Sequence, residues 1–129
     1  MQSGVLFVSP NLHDARSLAQ MLDRVPLPLV HANSLKDAAS KLEADIFQVV
    51  LTEAYLDDGT WLDVLGIARS TNTELVVTHP WADARFWAEA INMGAYDLLA
   101  QPFLGSEVRR VLASASNRKS APVKAHAAA

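Results

Sequence analysis

A chain of 129 residues, half of them hydrophobic, suits one domain that buries roughly two-thirds of its unfolded surface. The slightly acidic balance, a formal net charge of −3, argues against a nucleic-acid surface, and no apolar run approaches a membrane span. Cysteine is absent, which excludes disulfides and thiolate chemistry and fits a reducing interior. The N-terminus enters an apolar segment directly, without a signal-peptide pattern, so a cytoplasmic setting with no direct nucleic-acid or membrane partner is expected.

Gly4 to Val8 is a short continuous apolar run, the pattern of a strand buried on both faces. From about Asp14, the residues Leu18, Met21, Leu22 and Val25 recur at helical spacing, and Pro26 and Pro28 punctuate the end. Leu29 to Ala32 reads as a second strand. Ser34-Leu35-Lys36-Asp37 is similar to a capping box, with Asp in place of Glu, opening a helix through Leu42. Ile46 to Thr52 reads as the third strand, Thr60 to Arg69 as the third helix and Glu74 to Thr78 as the fourth strand. Asp83 to Met93 is a helix stopped by Gly94, a well-placed C-terminal cap. Tyr96 to Ala100 is the fifth strand and Gly105 to about Ser116 the last helix. Residues 117–129, rich in Ala, Lys and Pro, have little to bury and read as a linker or frayed end.

Five strands alternating with five helices predict a doubly wound α/β domain, a parallel sheet with right-handed crossovers and helices on both faces. Such a sheet places its site outside the C-terminal ends of the strands. Those ends are Ser9-Pro10, Glu53, Thr78 and Gln101.

Several local motifs, in order over residues 4–116, carry a family resemblance. Val5 to Val8 followed by a loop and Arg16, the Leu56-Asp57-Asp58-Gly59 loop after the third strand, and Thr78 closing the fourth strand all take part. The most specific stretch is Gly94-Ala95-Tyr96-Asp97-Leu98-Leu99-Ala100-Gln101-Pro102-Phe103. Together they resemble the receiver domain of two-component response regulators. The resemblance implies a flavodoxin-like sheet of order 2-1-3-4-5, a receiver-like domain over residues 1–116, and a cis Gln101–Pro102 bond.

The departures from that family carry as much meaning as the matches. Where the family holds Mg2+ with an acidic pair, this chain has Ser9 and Pro10; where it has the phosphoacceptor Asp, this chain has Glu53. Its Lys is here Gln101 and its aromatic switch position is Leu98, so only Thr78 remains of the catalytic and switching set. Mg2+ usually relies on one or two carboxylates in a near-octahedral oxygen shell. With Pro10 lacking even an N–H, metal binding is expected to be weak or absent and no cofactor is expected. Glu53 is one methylene longer than Asp, about 1.5 Å, and a misplacement of about 1 Å costs on the order of a hundredfold in rate.

The expectation is therefore an atypical receiver, non-enzymatic and without catalytic residues, acting by phosphorylation-independent binding of a kinase, an output domain or another regulator. By resemblance the contact surface is residues 82–116, with a homodimer as one form. Glu53 is expected to take hydrogen bonds from both Thr78 and Gln101, drawing Thr78 inward; the competing expectation is a site decayed into inert packing. Phosphorylation at a non-standard acceptor, Asp57 or Asp58, is one alternative. A small-ligand sensor at the rim near Tyr55, Trp61 and Trp81 is another. Those three aromatics are candidates for an interface or for filling vacated space. Phe86, Trp87, Ala90, Ile91 and Met93 have the spacing of the inner stripe of a helix. The four histidines lack ligand spacing and Cys partners, so zinc is not expected. His79, at the rim, is placed to sense pH or to be an ordinary surface histidine.

Overall fold

The computed structural model describes residues 4–120, and in it the apolar runs become strands buried on both faces. In chain order the elements are β1 (Val5–Val8), α1 (Leu12–Met21), β2 (Leu29–Ala32), α2 (Leu35–Ala44), β3 (Val49–Glu53), β4 (Tyr55–Leu56), β5 (Gly59–Thr60), α3 (Trp61–Ser70), β6 (Glu74–His79), α4 (Ala84–Met93), β7 (Asp97–Ala100) and α5 (Gly105–Ser120). The main sheet is parallel, in the order β2-β1-β3-β6-β7, which is the expected 2-1-3-4-5 once the small β4–β5 hairpin is set aside.

Side-chain alternation divides the core. Leu6, Val8 and Val50 face α2 and α3, whose Leu42, Val64 and Ala68 meet them. Val5, Phe7, Val49 and Leu51 face α1 and α5, against Leu18, Val108 and Leu112. A strand covered on both sides has no polar face, so its sequence shows a run rather than an alternation.

Local chemistry fixes most boundaries. Asn11 caps α1 by accepting the Asp14 N–H at 3.1 Å, and Ser34 caps α2 by accepting the Asp37 N–H at 3.0 Å. Asp37 reaches back one residue further than a capping box does, to the Asn33 N–H. The complete capping box lies at α3 instead, between Thr60 and Asp63, and its Asp stands for the usual Glu. Gly94 ends α4 in the left-handed region, at φ 114°, as its position predicts.

Four boundaries or faces differ from the sequence expectation. β3 begins at Val49, not Ile46, because its neighbour β1 begins at Val5; before that, the Gln48 N–H turns to the Gly4 carbonyl at 2.8 Å and Ile46 stays exposed. α1 stops at Met21, short of Val25. α5 runs on to Ser120, past the expected end near Ser116: Arg118 pairs with Glu74 at 3.2 Å and lies over the Tyr96 ring. Of the expected tail, residues 121–129 lie outside the described residues.

The inner stripe of α4 is narrower than its apolar spacing suggests. Only Ala90 is buried, Phe86 and Ile91 are half-buried, and Trp87 and Met93 are 48% and 46% exposed. α4 packs beside the edge strand β7, where there is less sheet to cover. The Trp87 indole lies out toward that strand, its Nε1 donating to Asp97 Oδ1 at 3.1 Å.

Candidate functional site

The strand ends expected to form a site do come together, and they are joined by hydrogen bonds across the whole sheet. Ser9, just past β1, is fully buried; its N–H donates to the Ala32 carbonyl on β2 at 2.9 Å. Its hydroxyl donates to Glu53 Oε2 at 3.0 Å and accepts the Asn11 N–H at 3.0 Å. The other carboxylate oxygen, Glu53 Oε1, accepts from Gln101 Nε2 at 3.1 Å. The same amide nitrogen donates to Thr78 Oγ1, also at 3.1 Å, and the Thr78 hydroxyl spends its own hydrogen on the Leu99 carbonyl at 2.9 Å. At the β2 edge, His31 Nε2 lies 2.6 Å from the Ser9 carbonyl and must be the donor, since a carbonyl only accepts.

The result is a belt running from His31 on β2 through Ser9, Glu53, Gln101 and Thr78 to β7. The orientation of the Gln101 amide follows from its neighbours. A carboxylate oxygen and a hydroxyl already committed to Leu99 are both acceptors, so the NH2 end faces them.

The belt corrects the expected wiring in one respect. Thr78 does not donate to Glu53; it turns toward the β7 carbonyl and is tied to Glu53 only through Gln101. Glu53 and Thr78 are register partners on adjacent strands, yet the Leu99 carbonyl takes the hydroxyl. Ser9 supplies the second bond to the carboxylate. By sequence Ser9 reads only as a lost metal ligand, although a serine beside a half-buried carboxylate is a donor by its chemistry alone.

Pro10 is exposed beside the belt and offers no N–H, and Leu98, at the position where the resemblance implies a switch residue, is half-buried against the α2–α3 side of the core. The Gln101–Pro102 bond is cis, as the resemblance implies. Among the described residues no three of His, Cys, Asp and Glu are grouped to hold a metal. Glu53 is the one carboxylate of the belt, and both of its oxygens already face neutral donors. That donor set does not fit Mg2+.

Of the two nearby aspartates, Asp58 is committed. Its carboxylate accepts the Leu35 and Lys36 N–H groups at 2.9 and 3.0 Å, capping α2 from the hairpin, and these bonds hold it below the usual carboxylate range. Asp57 is exposed. The three candidate aromatics divide. Trp61 is buried, tilted against Phe86 at 6.3 Å, whereas Tyr55 and Trp81 are exposed around His79. Nothing in their spacing distinguished them, because the β4–β5 hairpin that carries Tyr55 outward consists of two-residue strands too short to leave a pattern.

No protein-family model matches the sequence, and no curated protein matches it. Solved structures do. A two-component response regulator from Clostridium difficile superposes with a TM-score of 0.81 at 18% identity, covering 93% of this chain and 100% of its own. The beryllofluoride-activated NtrC4 receiver domain dimer gives 0.81 at 21% identity over 91% of this chain and 98% of that one. A CheY-like response regulator receiver domain protein from Methanospirillum hungatei gives 0.79 at 15% identity, over 93% and 98%. At such identities the likeness is one of architecture, and together with the sheet order it means that this chain carries the receiver-domain fold of two-component response regulators.

Proposed function

We propose that this chain is an atypical receiver domain that signals by binding another protein and does not accept a phosphoryl group. The observation that carries this reading is the Glu53 carboxylate held between Ser9 and Gln101, with Gln101 gripping an inward-turned Thr78. Phosphoryl transfer depends on charge neutralisation and in-line positioning. Here both oxygens of a single carboxylate are already engaged by hydrogen bonds, no Lys stands in the belt, and the residues beside it do not suit Mg2+. The belt sets Thr78 in one position without ligand or modification, so the domain rests in one signalling state. Asp58, tied to α2, is a poor acceptor for the same reason that it is a good cap.

The partner is a kinase, an output domain or another regulator, inside the cell, and the domain performs no catalysis of its own. The face from α4 to α5 fits such a role: Trp87, Met93 and Leu104 all stand exposed on it. A neighbour of the same fold is a dimer, and a homodimer through residues 82–116 is one form this contact takes. The test is intact-mass analysis after incubation with Mg2+ and a small-molecule phosphodonor, on the wild type and on Glu53→Asp. No adduct on the wild type is expected; a stoichiometric adduct on Glu53, Asp57 or Asp58 overturns the reading.

A further inference from the structure

Beside the belt, the turn after β6 and the first turns of α4 enclose a groove of about 240 Å³. Tyr55, Trp61, His79, Trp81 and Phe86 bring five aromatic rings to it, and the carboxylates of Asp83 and Glu89 flank them. His79 is held between the Tyr55 and Phe86 rings, at 5.5 and 5.6 Å between centroids. Its Nδ1 accepts the Trp81 N–H at 3.1 Å, which ties the ring to the turn. Tyr55 and Trp81 are 66% and 79% exposed, a large aromatic surface standing in water. Among the described residues Glu89 has no ion-pair partner, although Arg85 lies one turn before it. Arg ahead of Glu is the weaker order for such a pair.

We propose that this groove takes the guanidinium of an arginine presented by a protein partner. Aromatic faces attract cations, and a guanidinium both stacks on rings and forks to a carboxylate. Two carboxylates against the one cation of Arg85 leave the groove negative. The α4 N-terminus, which alone would favour an anion, is already taken: the Asp83 carboxylate accepts the Phe86 N–H at 2.8 Å. The inference leans on the proposed protein-binding role only for the source of the arginine, because no belt residue lines the groove.

The test is a titration of the isotope-labelled chain with acetyl-arginine amide, read from the backbone resonances of His79, Asp83 and Phe86. A saturable shift in the millimolar range is expected for so small a probe. The citrulline counterpart, alike in shape but uncharged, should bind about two- to fivefold more weakly, the weight of one exposed cation–π contact. Trp81→Ala and Glu89→Gln, both at exposed positions, should each weaken arginine binding by about the same factor, and Arg85→Gln should tighten it. An equal response to citrulline, a preference for acetyl-glutamate amide, or no saturable shift overturns the proposal. The phosphodonor experiment reports on Glu53 and does not touch this groove, so the two readings fail separately.

Discussion

Removing the Glu53 side chain tests whether the belt is a bonded network or a set of neighbours. Glu53 receives two hydrogen bonds, from Ser9 at 3.0 Å and from Gln101 at 3.1 Å. Bonds to a charged group contribute about 1.5–3 kcal/mol each, although a half-buried carboxylate recovers part of that from water. In Glu53→Ala the fully buried Ser9 hydroxyl also loses its acceptor, at a cost of about 1–3 kcal/mol, while Gln101 keeps Thr78. The net expectation is a loss of about 2–3 kcal/mol, or a fall in Tm of about 3–6 °C for each kcal/mol in a domain of this size. Glu53→Gln should cost about 1–2 kcal/mol, less than alanine, because its carbonyl still accepts from Gln101 and its amide donates to the Ser9 oxygen, although the Ser9 O–H loses its acceptor. Urea unfolding followed by circular dichroism at neutral pH measures both variants. If the alanine variant falls within about 0.5 kcal/mol of wild type, the range of ordinary surface changes, or if glutamine is no better than alanine, the belt does not bear the stability assigned to it.

Gly94→Ala should destabilise by at least about 1 kcal/mol by the same assay, because the residue sits at φ 114° and an added Cβ meets the Arg69 guanidinium. The Asp37 carboxyl is held below its ordinary value, first by its bond from Lys41 and then by the Asn33 N–H. A depressed folded pKa stabilises above the unfolded value, so the wild-type advantage over Asp37→Asn should be full at neutral pH and close as pH falls below roughly 5. Urea midpoints across that range check it; a gap that persists or widens in acid contradicts the assignment. Trp87→Ala should cost less than about 1 kcal/mol, since the ring is half in water and loses one rim hydrogen bond. Its effect should appear instead in self-association by analytical ultracentrifugation or in the affinity of an isolated partner.

The fold was legible because strands covered on both faces announce themselves as runs such as Val5 to Val8, and because Gly94 and Asp83 punctuate α4 by known chemistry. Boundaries slipped where a neighbour decided them: β3 waits for β1 to begin, and α5 is carried on by the Arg118–Glu74 contact. The apolar spacing of α4 overstated its burial because spacing describes a helix and not the width of sheet beneath it. At the site, the order of motifs identified which residues meet. It did not identify how they bond. Whether the Thr78 hydroxyl turns to Glu53 or to the Leu99 carbonyl depends on a distance across strands, and whether Ser9 donates depends on the burial of its neighbour. Asp58 looked like a spare acceptor for the same reason, since its bonds to Leu35 and Lys36 join parts of the chain more than 20 residues apart.

On the proposed reading, the belt already holds the domain in one state and leaves no phosphoryl site to occupy. The most direct test adds Mg2+ and beryllofluoride, a phosphoryl mimic, to the isotope-labelled chain and follows the backbone resonances of Glu53, Thr78, Leu99 and Gln101. The spectra should overlay before and after addition. Saturable shifts at those residues, spreading to α4 and β7, would contradict it.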